Sequence, residues 1–389
     1  MNFSIILSEY CIASLALLAI LVITVCIWTA RRYNAVSRAV KAGKKEGNLP
    51  PVSVIVYTSD DTENLAKTLP MIMAQDYPQF QVVVADDGVY DSTKDYMLEA
   101  TLKYPNLHYT SVPGGTRNLS RRKLALTLGI KAAKYDYIVT TADNCYPAGN
   151  RWLKSMMRNF TPGTDVVIGT SNYAPEDDCA RGKRSRAYDV VFSKAQYLSA
   201  ALHGKPYRGD GNNLAYRKEL FFSEKGYSRT LNLQNGDDDI FINEIATGDN
   251  TAVELSPESR MTVKAYDVKK NYRNEKLRYG FTLSYLKTFA KYSTSIITAL
   301  RWLAIPVFAA VVWFANWNLV PVIAALILVV ILVVVDIVMF RKVSVALHGR
   351  KMLFCIPFLV MKRPFVTFYF KLLNHKLRRA NYTNLHKKL

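Results

Sequence analysis

The sequence predicts a mixed α/β domain, Rossmann-like with a mostly parallel sheet, flanked by transmembrane helices. Three observations predict it. From about residue 50 to residue 278, short apolar runs of strand character alternate with amphipathic stretches of helical length. Two of those runs end in aspartates, at Asp86 and Asp143. Long apolar segments are confined to the two ends of the chain. Regular alternation of strand and helix implies a parallel sheet covered by helices.

The first apolar segment runs from Ile5 to Ala30, interrupted only by Glu9 and small polar residues. Roughly twenty such residues suffice to cross a bilayer. Arg31, Arg32, Arg38, Lys41, Lys44 and Lys45 follow it. A cleaved signal peptide carries its charge ahead of the apolar run, so this order predicts a retained transmembrane helix over 1–30. The basic stretch 31–49 reads as a juxtamembrane linker. Positive charge marks the cytoplasmic side, which puts the N-terminus outside and the middle domain in the cytoplasm, as at a bacterial inner membrane.

Within the middle, Val52-Ser53-Val54-Ile55-Val56 is a buried strand and Thr62 to Ala74 a helix with a Leu65, Leu69, Ile72 stripe. Gln81 to Ala85 is the next strand, ending in Asp86-Asp87-Gly88, and Asp91 to Tyr104 the next helix. His108 to Ser111, Tyr137 to Thr140 and Asp165 to Gly169 read as strands, with Arg121 to Ala133 and Arg151 to Phe160 helical. In such sheets ligands sit beyond the carboxyl ends of the strands. Asn172 to Arg186, rich in charge, reads as a mobile loop over that edge.

After the domain, 279–295 has the pattern of an amphipathic interfacial helix, with Phe281, Leu283, Leu286 and Phe289 beside Lys287 and Lys291. A transmembrane hairpin is expected over 296–341, turning at Ala315-Asn316-Trp317-Asn318. Asp336 lies within its second arm, where an acid is either functional or close enough to the interface to reach water. The tail 342–389 is basic and membrane-associated, with Met352 to Met361 too short to cross. No Asp or Glu follows Asp336. The net charge of +20 is thus concentrated beside apolar helices, which favours anionic membrane lipids as partners over nucleic acid. The five cysteines are scattered without a paired motif, so neither a zinc site nor a disulfide framework is expected.

Three acidic motifs carry the chemistry. Asp86-Asp87-Gly88 is either a plain turn or a carboxylate aimed at a ribose or base. Asp143, followed by Asn144, suits a hard divalent cation, because Mg²⁺ and Mn²⁺ take one or two carboxylates plus substrate phosphates; the alternative is a helix cap. Gly236-Asp237-Asp238-Asp239 gathers three mutually repelling carboxylates, as a general base for an acceptor hydroxyl requires, or as an exposed acidic loop. A glycoside hydrolase needs two carboxylates facing across one sugar, which this metal-and-phosphate pattern does not offer.

In this order and spacing the motifs resemble family 2 glycosyltransferases, whose fold is called GT-A, over about Pro50 to Arg278. The residues carrying the likeness are Val52 to Val56, Glu63-Asn64-Leu65, Gln75-Asp76-Tyr77-Pro78, Asp86-Asp87-Gly88, Lys123-Leu124-Ala125-Leu126, Ala142-Asp143-Asn144-Cys145-Tyr146-Pro147, Gly209 to Arg217 and Gly236-Asp237-Asp238. The flanking helices are similar to those of membrane-anchored members, such as glycosyltransferases of Bacteroidota. The resemblance implies a nucleotide-diphosphate sugar donor, a lipid or glycan acceptor, a divalent metal and inversion at the anomeric carbon. It implies that Thr58, Asp60, Asp86, Asp87 and Lys123 bind the nucleotide and that Asp143 holds the metal. Asp238, with Asp237 beside it, is the implied base. Gly209, Gly211 and Asn213 are implied to shape the donor-sugar or acceptor pocket, and Arg273 or Arg278 to clamp phosphate.

The sequence departs from the family pattern at three places. Thr141 stands where the first acid of the metal motif is expected, and Val89 where a serine follows Asp-Asp-Gly. The arginine motif near the end of the domain is reduced to Asn271-Tyr272-Arg273-Asn274-Glu275-Lys276-Leu277-Arg278-Tyr279. These departures keep open an alternative, a catalytically silent relative serving as a membrane scaffold in a glycan-assembly complex.

Overall fold

The computed structural model describes residues 8–41, 47–59, 62–88, 92–114, 118–174, 177, 180–350, 352–377 and 381–383. The chain begins with α1 (Glu9–Lys41). The domain then runs β1 (Val52–Thr58), α2 (Thr62–Met73), β2 (Phe80–Asp86), α3 (Ser92–Lys103), β3 (Leu107–Ser111), α4 (Arg121–Ala132), β4 (Tyr137–Ala142), β5 (Cys145–Pro147) and α5 (Trp152–Met157). It continues through β6 (Val166–Ile168), β7 (Ser171–Tyr173), α6 (Lys183–Leu202), β8 (Leu214–Arg217), α7 (Lys218–Ser223), α8 (Asp239–Ile245), β9 (Thr251–Val253), β10 (Met261–Val263) and α9 (Val268–Thr282). α10 (Thr288–Phe314), α11 (Leu319–Ala346) and α12 (Ile356–Lys376) follow.

The main sheet has seven strands in the order β3-β2-β1-β4-β8-β6-β9, and a smaller one has the order β5-β10-β7. β1 pairs in parallel with β2 and β4, and β2 with β3, while β8 runs antiparallel between β4 and β6. Strand side chains alternate between faces. Ile55, Val83 and Ile138 join one core with Leu126 and Ile130 of α4 and Leu198 of α6. Val54, Val56, Val82, Val84 and Val139 join the other with Leu65 and Leu69 of α2 and Trp152 of α5. Because helices cover both faces, the inner strands β1 and β2 are mostly apolar and buried along their length rather than half-polar.

Three helices, α1, α10 and α11, are long and apolar enough to cross a membrane. They share a core of Leu18, Leu21, Val22, Val307, Val311 and Ala325. Asp336 does not reach for water. Arg301 of α10 grips it with two bonds, Nη2 to Oδ1 at 3.0 Å and Nη1 to Oδ2.

Several expected boundaries differ. Arg31 to Lys41, expected as part of a juxtamembrane linker, is the continuation of α1, which reaches the α/β domain through Val36 in the main core and Arg32 over the Phe192 ring, 5.5 Å from its centroid. At 1.5 Å per residue an α-helix of this length spans about 50 Å, beyond the roughly 30 Å of bilayer hydrocarbon. The stretch 279–295 is not one interfacial helix. α9 ends at Thr282 and α10 starts at Thr288, because the intervening Leu286 is buried and Lys287 is tied to the domain. The Lys287 amide donates to Asn243 Oδ1 at 3.0 Å and its Nζ to the Ala246 carbonyl at 3.1 Å.

Met352 to Met361 leads into α12, a helix of 21 residues that keeps Pro357 in its first turn, where the missing N–H costs nothing. Of the supposed loop 172–186, Asn172 and Tyr173 belong to β7, and Lys183 to Arg186 open α6. The tail also returns to the α/β domain. The Gln234 amide donates to the Asn381 carbonyl at 3.0 Å, and the Thr383 amide to that of Asn232 at 3.0 Å.

Candidate active site

The parallel register places the ends of β1, β2 and β4 at one edge, with Thr58 opposite Asp86 and Tyr57 opposite Ala142. Asp143 follows β4 directly, and its amide donates to the Tyr57 carbonyl at 2.9 Å. Its Oδ2 accepts from Thr58 Oγ1 at 2.8 Å and from the Ser59 amide at 3.3 Å. Asp86 is buried beside them. It accepts from Tyr109 OH at 2.7 Å and from the Gly88 amide at 2.9 Å. Asp87 Oδ2 accepts from Tyr57 OH at 3.2 Å.

The second acidic cluster reaches this edge through arginines. Arg122 lies over the Tyr57 ring, 4.3 Å from its centroid, and its Nε donates to Asp237 Oδ2 at 2.7 Å. Gly236 precedes the cluster with φ +104°, a region closed to most side chains. Asp238 is buried, and its Oδ2 accepts from Arg278 Nη2 at 2.8 Å and Tyr279 OH at 3.0 Å. Gly211 passes so close that a Cβ there would sit 3.1 Å from that of Asp238, so only glycine fits without displacement.

The three neighbouring acids are split electrostatically. Burial opposes ionisation of Asp237, but the Arg122 and Arg278 guanidiniums outweigh it and hold its pKa at about 2. Burial, then the adjacent Asp238 carboxylate, pushes Asp239 up to about 6. Glu275 on α9 is also raised, chiefly by burial.

α9 divides two spaces. On one side is an open cleft of about 540 Å³, bordered by Tyr57, Arg122, Asp143, Asn212, Arg278 and Asn381. On the other, facing the membrane helices, lies a cavity of about 450 Å³ that includes Arg208, Asp239 and Tyr279 in its lining. Glu275 borders both. The two donors to Asp238 Oδ2 therefore come from opposite sides of the partition, Arg278 from the cleft and Tyr279 from the cavity.

Several expected site residues sit elsewhere. Lys123 is fully buried and its Nζ donates to the Thr230 carbonyl at 2.6 Å, so it faces the core of the domain. Burial pushes that ammonium down to about 8. Its neighbour Arg122 borders the cleft instead, one helical position earlier. Asn213 is a buried brace: its Oδ1 accepts from Trp152 Nε1 at 2.9 Å, and its Nδ2 donates to the carbonyls of Thr170 at 2.9 Å and Ser259 at 2.7 Å. Asn212 beside it borders the cleft. Gly209 packs against Leu214 and Ile242, not against an open space. Arg273 is exposed and is absent from the cleft wall, whereas Arg278 forms part of it. Asp60 lies outside the described residues.

Sequence reasoning missed Tyr57, Arg122, Asn381 and Tyr279. Arg122 had a signal, since Ser120 caps α4 and fixes its phase: its Oγ accepts from the Lys123 amide. Asn381 had none.

Among the described residues no group of three or more His, Cys, Asp or Glu side chains gathers around one point. Asp143 and Glu275 are the carboxylates of the cleft wall. This donor set fits a cation held by Asp143 and completed by a substrate's phosphates, and does not fit a cage made of protein alone.

Comparisons with known proteins bear on the family and the fold. Residues 53–229 match the family described as Glycosyl transferase family 2. Glycosyltransferase AglE of Haloferax volcanii is 38% identical over 128 residues, 32% of this chain and 40% of that protein. The chain thus spans well under two thirds of that curated relative. Among solved structures, the mannosyltransferase PcManGT of Pyrobaculum calidifontis, in complex with GDP-Man and Mn²⁺, superposes with a TM-score of 0.52 at 18% identity, over 85% of this chain and 97% of that one. S. aureus TarS 1-349 gives a TM-score of 0.40 at 15% identity, over 85% of this chain and 92% of that one. The parallel-rich sheet, the acids at its strand ends and the matched residues together identify residues 53–229 as a glycosyl transferase family 2 domain, with the GT-A fold.

Proposed function

We propose that this chain is an inverting, metal-assisted glycosyltransferase that moves a sugar from a nucleotide-diphosphate donor to a hydroxyl of a membrane-proximal, lipid-linked acceptor. The observation that carries it is the position of Asp238, held between the cleft by Arg278 and the cavity by Tyr279. A carboxylate on that partition is one side chain away from a donor in the cleft and from an acceptor in the cavity.

In this reading the nucleoside lies at the Thr58, Asp86 and Asp87 edge, and the diphosphate extends toward Asp143 and Arg278. Asp143 would hold a divalent cation, Mg²⁺ or Mn²⁺, which would supply positive charge to offset that of the departing diphosphate. The acceptor oxygen attacks the anomeric carbon as the bond from that carbon to the diphosphate oxygen breaks. Its proton passes to Asp238. Arg278 starts on Asp238, and an incoming diphosphate offers it a competing anion. Its transfer removes one of the two donors on Oδ2 and leaves room there for the acceptor hydroxyl beside Tyr279 OH. The single displacement inverts the anomeric centre without a covalent enzyme intermediate.

Support for the donor class comes from the family match and from the GDP-Man and Mn²⁺ bound by the Pyrobaculum neighbour. The three candidate spans support a membrane enzyme. The basic ends Arg31, Arg32, Arg341 and Lys342 support a cytoplasmic catalytic domain.

The test is nucleotide diphosphate release by the purified full chain, with a panel of GDP- and UDP-sugars and Mn²⁺, against Asp238→Asn. Turnover by the wild type alone is expected. Equal background in both proteins overturns the enzyme reading and favours the silent scaffold. Product stereochemistry, read by NMR, tests inversion.

A further inference from the structure

We propose that the cavity on the membrane side of α9 is a binding site for the phosphate headgroup of a lipid, with Arg208 as the residue that receives the anion. A role for that lipid as sugar acceptor rests on the glycosyltransferase reading, but the binding site itself does not.

Position comes first. The cavity is walled by Tyr279 of α9, Lys194 of α6, Lys291 of α10, and Phe370, Lys371 and Asn374 of α12. Lys291 lies in the first turn of a helix long and apolar enough to cross a membrane. The space therefore sits where the catalytic domain meets the membrane. Its volume of about 450 Å³ falls in the range of ligand pockets, far larger than a phosphate alone. Leu283, Leu286, Ala290 and Phe370 supply apolar lining beside charged side chains from α6, α9, α10 and α12. An amphiphile matches that mixed lining.

Charge comes second. Most carboxylates of the wall are already engaged. Asp189 accepts from Lys276 at 2.8 Å, Arg363 at 3.0 Å and Tyr272 at 2.9 Å. Asp210 Oδ2 accepts from the Ser171 amide and hydroxyl, both at 2.8 Å, with Lys194 at 3.9 Å. Asp239 accepts from Thr282. Burial raises Glu275, which weakens its claim on a cation.

Arg208 is engaged differently. Its guanidinium lies 3.1 Å from the Tyr279 ring centroid and 5.1 Å from that of Tyr197. Its Nε is buried without a hydrogen-bond partner, and Arg208, Lys291 and Lys371 make no ion pair among the described residues. A guanidinium keeps its charge in any such setting, and ring stacking fixes its plane while leaving the N–H edge for a planar or tetrahedral oxyanion. Asn374 Oδ1 is a second buried, unbonded polar atom on the wall, able to accept from a ligand hydroxyl.

Connection to the chemistry comes third. Tyr279, on which Arg208 stacks, is the same residue that donates to Asp238. A headgroup held by Arg208 is thereby one side chain away from the carboxylate on the partition.

The test uses the full chain in a neutral maltoside detergent, with farnesyl phosphate, farnesol and inorganic phosphate as separate probes and affinity read by native mass spectrometry. Farnesyl phosphate is expected to bind the wild type at least about ten-fold more tightly than either other probe. Arg208→Gln should lose that difference, Arg208→Lys should keep part of it, and the exposed Lys371→Glu should weaken it without risk to the fold. Nucleotide diphosphate affinity with Mn²⁺ is measured in the same samples. Equal farnesyl phosphate affinity in wild type and Arg208→Gln overturns the proposal. So does equal binding of farnesol, which marks an apolar groove only, or of inorganic phosphate, which marks a free-phosphate site. Failure of the wild type to bind or turn over any nucleotide sugar instead refutes the glycosyltransferase reading and leaves the lipid result standing on its own.

Discussion

The Arg278 guanidinium donates to Asp238 Oδ2 at 2.8 Å, which ties a residue of the open cleft to a carboxylate buried under α9. If Arg278 must leave that carboxylate before an acceptor can approach, the two residues act in sequence. Asp238→Asn should lower turnover by about 10²- to 10⁴-fold, the usual worth of a positioned base. Arg278→Gln should lower it too, while raising the concentration of donor needed. Steady-state kinetics on both variants check this, and unchanged turnover in Asp238→Asn removes the base from the mechanism.

Asp239 makes stability depend on pH. Its folded pKa, about 6, lies above the ordinary carboxylate value, so the folded state holds a proton that the unfolded state has released. Stability should therefore fall as pH rises from about 4 to about 6 and then level off, by up to about 3 kcal/mol. Asp239→Asn cannot ionise and should flatten that part of the curve. Thermal melting from pH 4 to pH 8 measures it. A wild-type melting temperature that climbs through this window contradicts the assignment.

The pair between α10 and α11 should be costly to halve. Asp336→Ala leaves Arg301 buried without its partner, a loss of about 3–5 kcal/mol. Replacing both, as in Arg301→Met with Asp336→Leu, should recover most of it, because apolar side chains of similar volume remove the stranded charge. Melting of the detergent-solubilised variants decides between them.

Asn213 should behave as a brace and not as a substrate contact. Asn213→Ala strands Trp152 Nε1 and the carbonyls of Thr170 and Ser259, each unsatisfied group costing about 1–3 kcal/mol. The variant should melt early yet turn over normally per folded molecule below its transition. A donor KM that rises many-fold with little change in melting would return it to the pocket.

Asp143 carries the metal prediction. Asp143→Asn should abolish the gain in nucleotide diphosphate affinity that Mn²⁺ confers, leaving metal-free binding unchanged. Calorimetry with and without Mn²⁺ reads both values, and a persisting metal effect would move the cation to other ligands.

The strand ends were legible because burial on both faces writes β1, β2 and β4 as apolar runs, and the polar residue that stops each run is the one at the ligand edge. What was not legible depends on phase and distance. Lys123 and Arg122 are adjacent in sequence, and only the docking of α4 on the sheet decides which reaches the cleft. Gly209 and Asn213 stand in a recognisable segment, but their side of it faces Trp152 and Ile242. The strands β5, β7 and β10 are three residues each, too short to show a period. The break at Leu286 is a tertiary effect, since the sequence there has helical amphipathicity and yields to the docking of Lys287 on Asn243 and Ala246.

The return of residues 381–383 to the loop at 232–234 has a consequence for how the protein is made. All three candidate spans precede that segment, so they can enter the bilayer while the ribosome is still translating. The cleft gains its Asn381 wall only later, once the polypeptide beyond α12 has left the exit tunnel and folded back. A nascent chain arrested in α12 would hold its three candidate spans yet lack the Asn381 wall of the cleft, which sets membrane insertion ahead of the cleft's completion.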